Sequence, residues 1–220
     1  GAGLISVATH PEHAHWLNID RPELMVSAID SATDLAKLLE KASVISFGPG
    51  LGQDAWSNPM FNALLEIEKP MVMDADALNL LSQRPAYKSN WILTPHPGEA
   101  ARLLGCSVSD IQADRPEAAR ALQRARGGIV ILKGAGSLIA GPSGLVVCPY
   151  GNPGMASGGM GDVLSGMLGA LVGQFNSLEQ SAWLGVMTHA LAGDEAAKAA
   201  GERGLLASDL ASYARVLINP

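Results

Sequence analysis

Positive charge and long apolar runs are both scarce in this sequence of 220 residues. The 15 Lys and Arg residues are outnumbered by 21 Asp and Glu residues, which leaves a net charge of −6 at pH 7. Nucleic acids and anionic membranes are bound through basic surfaces, so we expect neither as a partner. No apolar run approaches the roughly 20 residues of a membrane-spanning helix, and no secretory signal is visible. We therefore expect a cytoplasmic protein.

Cysteine is also rare. Cys106 and Cys148 form no CxxC pair, and we expect both to be small, buried, apolar side chains in a reducing compartment. His10, His13 and His15 lie close together in the sequence. No cysteine or carboxylate set completes a metal site with them, so they indicate a surface loop. We predict no functional role for five further residues. His189 is expected to be a hydrogen-bonded core residue. A solvated helix face is expected for Arg115, Arg120, Arg124 and Arg126.

The remaining composition, 48% hydrophobic and 5% aromatic, fits a single α/β domain over residues 1–220. Short apolar runs, most of them rich in β-branched residues, alternate with helical patterns. This alternation predicts an open, mostly parallel sheet with helices on both faces. The predicted strands are residues 4–7, 44–47, 71–73, 91–93 and 129–132, with a hairpin formed by 137–140 and 145–148. The predicted helices are residues 32–41, 59–68, 97–104, 116–126, 162–172 and 178–200.

A polar or glycine-rich motif follows each of the last four parallel strands. The motifs are residues 48–52 (Gly-Pro-Gly-Leu-Gly), 74–79 (Asp-Ala-Asp-Ala-Leu-Asn), 94–99 (Thr-Pro-His-Pro-Gly-Glu) and 133–137 (Lys-Gly-Ala-Gly-Ser). Open parallel sheets bind ligands at the carboxyl ends of their strands, so these motifs are predicted to share one site.

Each motif also has a purely structural interpretation. The 48–52 segment lacks both GxGxxG spacing and a P-loop lysine, and alone it indicates a tight turn. Helix capping accounts for at least one of Asp74 and Asp76, although together with Asn79 they could order Mg²⁺-bound water. Glu99 in a first helical turn complements the helix dipole. Lys133 could simply be a solvated strand-end lysine.

The most specific string runs from Asn152 to Asp162 and reads Asn-Pro-Gly-Met-Ala-Ser-Gly-Gly-Met-Gly-Asp before an apolar helix. A glycine-dense turn opening onto a helix directs unpaired backbone N–H groups at an anion. A carboxylate there would repel phosphate unless it takes a proton from the group attacking that phosphate. The string therefore predicts phosphoryl transfer to a hydroxyl with Asp162 as the base. Helix capping by Asp162 is the structural alternative.

The string and the three motifs at 48–52, 94–99 and 133–137 resemble, in order, those of the nucleotide-dependent NAD(P)H-hydrate dehydratases, a branch of the ribokinase-like superfamily. The resemblance covers nearly the whole chain and implies a ribokinase-like fold. Kinases of this superfamily have Asn where this chain has His96, and the histidine is typical of the dehydratases. Family members normally carry a further upstream segment with an opening strand, a glycine-containing substrate loop and a helix.

The resemblance also implies roles for individual residues. Asp162 would be the catalytic base and contact the substrate, and Glu99 would act indirectly on a metal–phosphate network with Mg²⁺. Further substrate contacts would come from Gly50, Gly52, His96 and Asn152. Nucleotide contacts would come from Lys133, Gly134, Ala135, Gly136, Ser137 and Gly161.

The activity implied is ADP-dependent dehydration of the S-form of hydrated NADH or NADPH, with ATP as a possible substitute for ADP. Phosphorylation of the ring hydroxyl would be followed by elimination of phosphate, releasing AMP. The implied partners are these small molecules, an epimerase domain or protein, and other copies of the chain. Two alternatives are an ATP-dependent kinase of a small alcohol, such as a vitamin precursor or sugar, and a non-catalytic nucleotide-sensing domain.

Overall fold

The computed structural model describes residues 1–219 and contains two sheets and nine α-helices within that range. The strands are β1 (Ser6–Thr9), β2 (Met25–Ala28), β3 (Ile45–Phe47), β4 (Met71–Met73), β5 (Trp91–Leu93), β6 (Ile129–Leu132), β7 (Leu138–Gly141) and β8 (Gly144–Val147). The helices are α1 (Ala32–Lys41), α2 (Ser57–Leu65), α3 (Ala75–Gln83), α4 (Pro97–Leu104), α5 (Val108–Ala113), α6 (Arg115–Arg126), α7 (Met160–Val172), α8 (Leu178–Ala200) and α9 (Leu210–Leu217).

The main sheet has six strands in the order β3-β4-β5-β6-β7-β8. Strands β3 to β6 are parallel, and β7 and β8 complete the sheet as an antiparallel hairpin. The predicted parallel strands and the hairpin are therefore confirmed. Because four neighbouring strands run the same way, the loops that follow them all emerge at one edge of the sheet.

The amino-terminal part of the chain forms a separate, two-stranded parallel sheet. Its first strand begins at Ser6 rather than at residue 4, and its second strand was not predicted from the sequence. The second strand is not enclosed on both faces, and its sequence lacks the continuous apolar run that marks the central strands. Helices α3, α5 and α9 were also not among the predicted helix ranges, although the capping prediction for Asp74 and Asp76 implied a helix start at α3. Helix α5 is only six residues long, and α9 follows a glycine-containing turn.

Side chains alternate between two cores across the main sheet, as the two-residue period of a strand requires. Met71, Trp91 and Leu93 face the core that helices α1 to α6 cover. Val72 and Ile92 face the opposite core, which is covered by α7 and α8. The prediction of helices on both faces is thus confirmed. No helix among residues 1–219 is both long enough and apolar enough to cross a membrane.

Two predictions about single residues have different outcomes. Cys148 is buried as expected, but Cys106 is exposed. It follows Gly105, the left-handed cap of α4, and therefore lies in the short connection to α5, outside the core. His189 is a hydrogen-bonded core residue, as predicted, with Nε2 2.9 Å from the carbonyl oxygen of Met160.

Candidate active site

Residues at the carboxyl ends of the parallel strands are held together by a continuation of the strand ladder. The amide of Asp74 donates to Phe47, that of Thr94 to Met73, and that of Lys133 to Pro95, at 2.9–3.2 Å. The predicted convergence of the motifs at one edge of the sheet is therefore confirmed in its geometry.

A cluster of three charges lies at this edge. The Lys133 Nζ is 2.6 Å from Asp74 Oδ1 and 3.9 Å from Glu99 Oε2. Both carboxylates are almost fully buried, whereas the lysine side chain keeps 20% of its exposure. Ser165, in the second turn of α7, donates a hydrogen bond of 2.7 Å to Asp74 Oδ2. The cluster thus joins the ends of β4 and β6 to the helices α4 and α7, and its lysine is the member that reaches solvent.

The pKa values of the two carboxyl groups shift in opposite directions. Burial alone would raise the pKa of Asp74, but the charge of Lys133 and hydrogen bonds from Lys133 and Ser165 hold that pKa below its usual value. Burial raises the pKa of Glu99, and the charge of Lys133 offsets only part of that rise. Lys133 is therefore paired mainly with Asp74.

Capping and anchoring account for the two aspartates near β4. Asp74 accepts a hydrogen bond of 2.9 Å from the amide of Ala75 at the start of α3, which confirms the capping prediction for this residue. Asp76 accepts one of 2.9 Å from the amide of Gly52 and thereby fixes the loop after β3. Within residues 1–219 no group of three or more His, Cys, Asp or Glu side chains is arranged to hold a metal ion.

The loop after β3 contains three glycines with positive φ, and they differ in what surrounds them. A Cβ at Gly48 would lie 1.8 Å from the carbonyl oxygen of Asp74, so only glycine fits there. Gly50 has φ +68° and nothing within 4 Å of its Cβ position. Gly52 has φ +76° and is tied to Asp76. The substrate contacts predicted for Gly50 and Gly52 stay predictions, and Gly50 lies on the open side of the loop.

Helix α7 begins without a side-chain cap. Gly159, in the left-handed conformation at φ +84°, occupies the cap position. Among residues 1–219 no hydrogen-bond acceptor meets the amides of Met160, Gly161 or Asp162. A Cβ at Gly161 would lie 3.2 Å from Lys133 Nζ, so the start of the helix lies directly against the charged cluster. Free first-turn donors beside a lysine suit an anion, and the anion site itself stays a prediction.

Asp162 is the third residue of α7 and is exposed. Within the part of the chain that the structure describes, its carboxylate neither accepts a hydrogen bond nor forms an ion pair. A capping aspartate would accept a bond from the backbone, so capping does not account for this side chain. Asp162 is available for proton transfer, and its catalytic role stays a prediction.

His96 is the N-cap of α4. Its Nδ1 accepts hydrogen bonds from the amides of Gly98 and Glu99, and the Glu99 carboxylate accepts one of 2.8 Å from the His96 amide. Burial and the positive charges of Lys133 and Arg102 lower the pKa of His96. The imidazole is therefore neutral at pH 7, and its Nε2–H, 3.4 Å from Glu99 Oε1, lies on the half-exposed side of the ring. Its substrate contact stays a prediction beside this structural role.

Asn152 is held by internal hydrogen bonds. Its Nδ2 donates to Asp194 Oδ1 at 2.9 Å, and its Oδ1 accepts from the amide of Gly154 at 3.0 Å. Asp194 also accepts a bond from the amide of Gly151. These contacts brace the glycine string against α8, and the substrate contact predicted for Asn152 stays a prediction.

Arg115 was wrongly predicted to lie on a solvated helix face. Its guanidinium donates to carbonyl oxygens of the 133–137 loop. The prediction was also wrong for Arg126, which is buried and donates to the Leu103 carbonyl at 2.8 Å. Arg115 is the first residue of α6, and helices of a parallel α/β fold begin at the ligand-binding edge of the sheet. Its position directly before Pro116 was the available sequence signal.

Ser165 is another residue of the site that was not identified from the sequence. One helical turn after Gly161, a serine on the sheet-facing side of α7 needs a polar partner in the core. The sequence contains that spacing but does not show that the partner is Asp74.

The chain is similar in sequence to NAD(P)H-hydrate dehydratases and repair enzymes. The sequence profile described as NAD(P)H-hydrate dehydratase matches residues 1–215. The bifunctional NAD(P)H-hydrate repair enzyme of Coxiella burnetii is 52% identical over the whole chain, which spans 45% of that protein. The ADP-dependent (S)-NAD(P)H-hydrate dehydratase of Neisseria meningitidis is 41% identical over 90% of the chain and 69% of its own length. The chain thus spans about half the length of the bifunctional curated relatives.

A comparison with solved structures points to the same family. The ADP/ATP-dependent NAD(P)H-hydrate dehydratase of Bacillus subtilis, crystallised with ATP and Mg²⁺, superposes with a TM-score of 0.87. It is 28% identical, and the match covers 99% of this chain and 81% of the Bacillus chain. The predicted ribokinase-like fold is therefore confirmed. From its sequence and its fold, the chain belongs to the NAD(P)H-hydrate dehydratase family.

Proposed function

We propose that this chain catalyses the ADP-dependent dehydration of the S-form of hydrated NADH or NADPH, with ATP as the substitute nucleotide. Support comes from the family and from the ADP-dependent relative in Neisseria meningitidis. The single observation that carries the proposal is the free, exposed carboxylate of Asp162 beside uncapped amides of the same helix turn.

The chemistry follows from the poor leaving ability of hydroxide. Asp162 takes the proton of the ring hydroxyl as its oxygen forms a bond to the terminal phosphorus of ADP. The bond between that phosphorus and the AMP oxygen breaks. The lone pair of the ring nitrogen then expels phosphate, and loss of a proton from the adjacent ring carbon restores the dihydronicotinamide. The products are AMP, phosphate and NADH or NADPH.

The phosphates of the nucleotide are expected between the first turn of α7 and the 133–137 loop. Lys133 supplies a cation there, and the amides of Gly161 and its neighbours supply dipoles. These groups are in place before reaction, which is how an enzyme stabilises developing negative charge most effectively. Lys133, Gly134, Ala135, Gly136, Ser137 and Gly161 are accordingly proposed as the nucleotide contacts.

Mg²⁺ is proposed as a companion of the nucleotide. Glu99 and Asp74 are the nearby carboxylates, and both are engaged with Lys133. Such a site does not resemble an all-protein metal cage but fits an ion that phosphates and water largely coordinate. Glu99 would contact it through water, and the ion would neutralise charge on the transferring phosphoryl group.

The substrate ring is proposed to lie between the loop after β3 and the start of α4. Gly50 lies on the open side of that loop, and His96 presents a neutral Nε2–H that can donate to the hydroxyl or to the departing phosphate. We also propose that a hydrate epimerase supplies the S-form. Association with other copies of the chain stays a prediction.

The decisive experiment supplies hydrated NADH with ADP or ATP and follows the return of dihydronicotinamide absorbance, with AMP and phosphate measured in parallel for ADP. Asp162→Asn serves as the inactive control. If absorbance never returns but the same protein phosphorylates a sugar or vitamin alcohol, the chain is a kinase. Nucleotide binding without either reaction would identify a sensing domain.

A further inference from the structure

The guanidinium of Arg115 lies inside the 133–137 loop. Its Nη1 donates to the carbonyl oxygen of Ala135 at 2.6 Å. Its Nη2 lies 3.3–3.4 Å from the carbonyl oxygens of Leu132, Lys133 and Gly136. One planar cation thus contacts four carbonyl groups within five consecutive residues. Such a set of donors in fixed geometry is a property of arginine that lysine lacks.

Two of these peptide groups, the Lys133–Gly134 and the Ala135–Gly136 peptides, carry an amide that is free within the described chain on the side away from the guanidinium. Among residues 1–219 no acceptor meets the amides of Gly134, Ala135 or Gly136. Gly134 and Ala135 are exposed. Because the Lys133 and Ala135 carbonyl groups point to the guanidinium, the amides of Gly134 and Gly136 are left for solvent or for a ligand. The Gly134 carbonyl, in the same peptide group as the Ala135 amide, accepts instead from Ser137 Oγ at 3.1 Å. Successive free amides of this kind form an anion-binding concavity.

Two further features fix the guanidinium in this place. A Cβ at Gly134 would lie 2.8 Å from Arg115 Nη2, so the glycine leaves the space that the cation fills. Asp114 caps α6 through a bond of 2.9 Å to the amide of Glu117, which anchors the backbone beside Arg115. The Arg115 Nε has no hydrogen-bond partner in the described chain. The side chain is therefore oriented by its terminal nitrogens and the loop.

We infer that Arg115 is a positioning residue for nucleotide binding: it binds the carbonyl groups of the 133–137 loop from inside and so presents the loop amides to the phosphates. This inference rests on the proposed function, because it concerns the nucleotide half of the same site. Arg115 acts through the loop and contacts no reacting atom. Its removal leaves the loop free to rearrange, so the loss is in pre-organisation.

Titration calorimetry with ADP on the full chain tests the inference. We expect Arg115→Ala to weaken ADP binding by roughly 10- to 100-fold, the effect of losing a pre-organised loop. The KM for hydrated NADH should stay within about twofold, because that substrate binds elsewhere in the site. Arg120→Ala, on the exposed side of the same helix, is the matched control and should bind ADP as the wild type does.

Two additional measurements keep the test independent of folding. Low millimolar guanidinium should restore ADP binding to Arg115→Ala and should leave Lys133→Ala unrescued. In the wild type, ADP should protect the amides of Gly134, Ala135 and Gly136 from hydrogen exchange. Unchanged exchange at all three amides would overturn the inference even if the alanine variant fails to fold.

The remaining outcomes separate the two proposals. A wild-type protein that binds neither ADP nor ATP would overturn the proposed function and this inference together. A wild type that binds ADP beside an Arg115→Ala variant of equal affinity would overturn the inference alone. An equal loss of affinity for ADP and for hydrated NADH would show that the arginine only supports the fold.

Discussion

The substitution Asp162→Asn should separate a loss of catalysis from a loss of nucleotide binding and from a loss of stability. The change keeps the size of the side chain and removes its charge. Since no group within residues 1–219 donates a hydrogen bond to the Asp162 carboxylate, the substitution removes no hydrogen bond. The loss of a general base should lower turnover by about 10²–10⁴-fold.

Stability and binding should respond very differently from turnover. The third residue of a helix contributes about 0.3–1 kcal/mol through its charge and the helix dipole. For a domain of this size that corresponds to a fall in Tm of at most about 4 °C. ADP binding should be unchanged or tighter, because a carboxylate that repels phosphate has been removed. Turnover, calorimetric affinity and melting temperature are the three measurements.

Asp34→Asn is the matched control, since Asp34 is also the third residue of its helix. The Asp34 carboxylate accepts hydrogen bonds from Ser31 Oγ and Lys37 Nζ, whereas the Asp162 carboxylate accepts none within residues 1–219. The control variant should therefore lose at least as much stability as Asp162→Asn while keeping full turnover. Turnover of Asp162→Asn within a few-fold of the wild type would refute the assignment of the base.

Three other predictions rest on buried contacts. Lys133→Ala should weaken ADP binding and destabilise the fold by up to about 3–5 kcal/mol by leaving Asp74 unpaired; adding Asp74→Asn should recover stability but not affinity, and recovery of both would contradict the phosphate role. Gly48→Ala should destabilise the chain far more than Gly50→Ala, which costs about 1–2 kcal/mol for its left-handed backbone; equal denaturant midpoints would refute the steric argument. Burial lowers the pKa of His189 to about 4, so the unfolded chain binds more protons than the folded one as pH falls from about 6.5 to 4. The free energy of unfolding should therefore fall by about 3 kcal/mol across that pH range. His189→Gln should remove this loss, and identical pH profiles of unfolding free energy would exclude the histidine as its source.

The central strands could be predicted because each is buried on both faces and reads as a short apolar run between glycines or prolines. Met71–Met73 and Trp91–Leu93 match their predicted bounds for this reason. The carboxyl-end rule then placed Asp74, Glu99 and Lys133 in one region. Strand β2 lacked such a signal, since neither of its faces is fully enclosed.

The contacts within the site could not be predicted in the same way. A motif shows that Lys133 follows a strand, but not that it pairs with Asp74 in preference to Glu99. That preference depends on distances across three strands. Arg115 was misassigned because a pattern of arginines along a helix says nothing about the first turn, where the side chain points back over the helix start. His96 shows the reverse problem, because one residue serves the helix and remains open to a ligand.

The buried contacts of Asp74 bear on how this site can change during evolution. Asp74 caps one helix, pairs with a lysine 59 residues later and accepts a bond from a serine 91 residues later. Replacing any one partner leaves a charge or a hydroxyl unsatisfied in the core. Substitutions here are therefore strongly non-additive, and viable routes to a different site require paired changes. The exposed Asp162 has no such partners within residues 1–219, so a single substitution there leaves no buried group unsatisfied even though it should lower turnover.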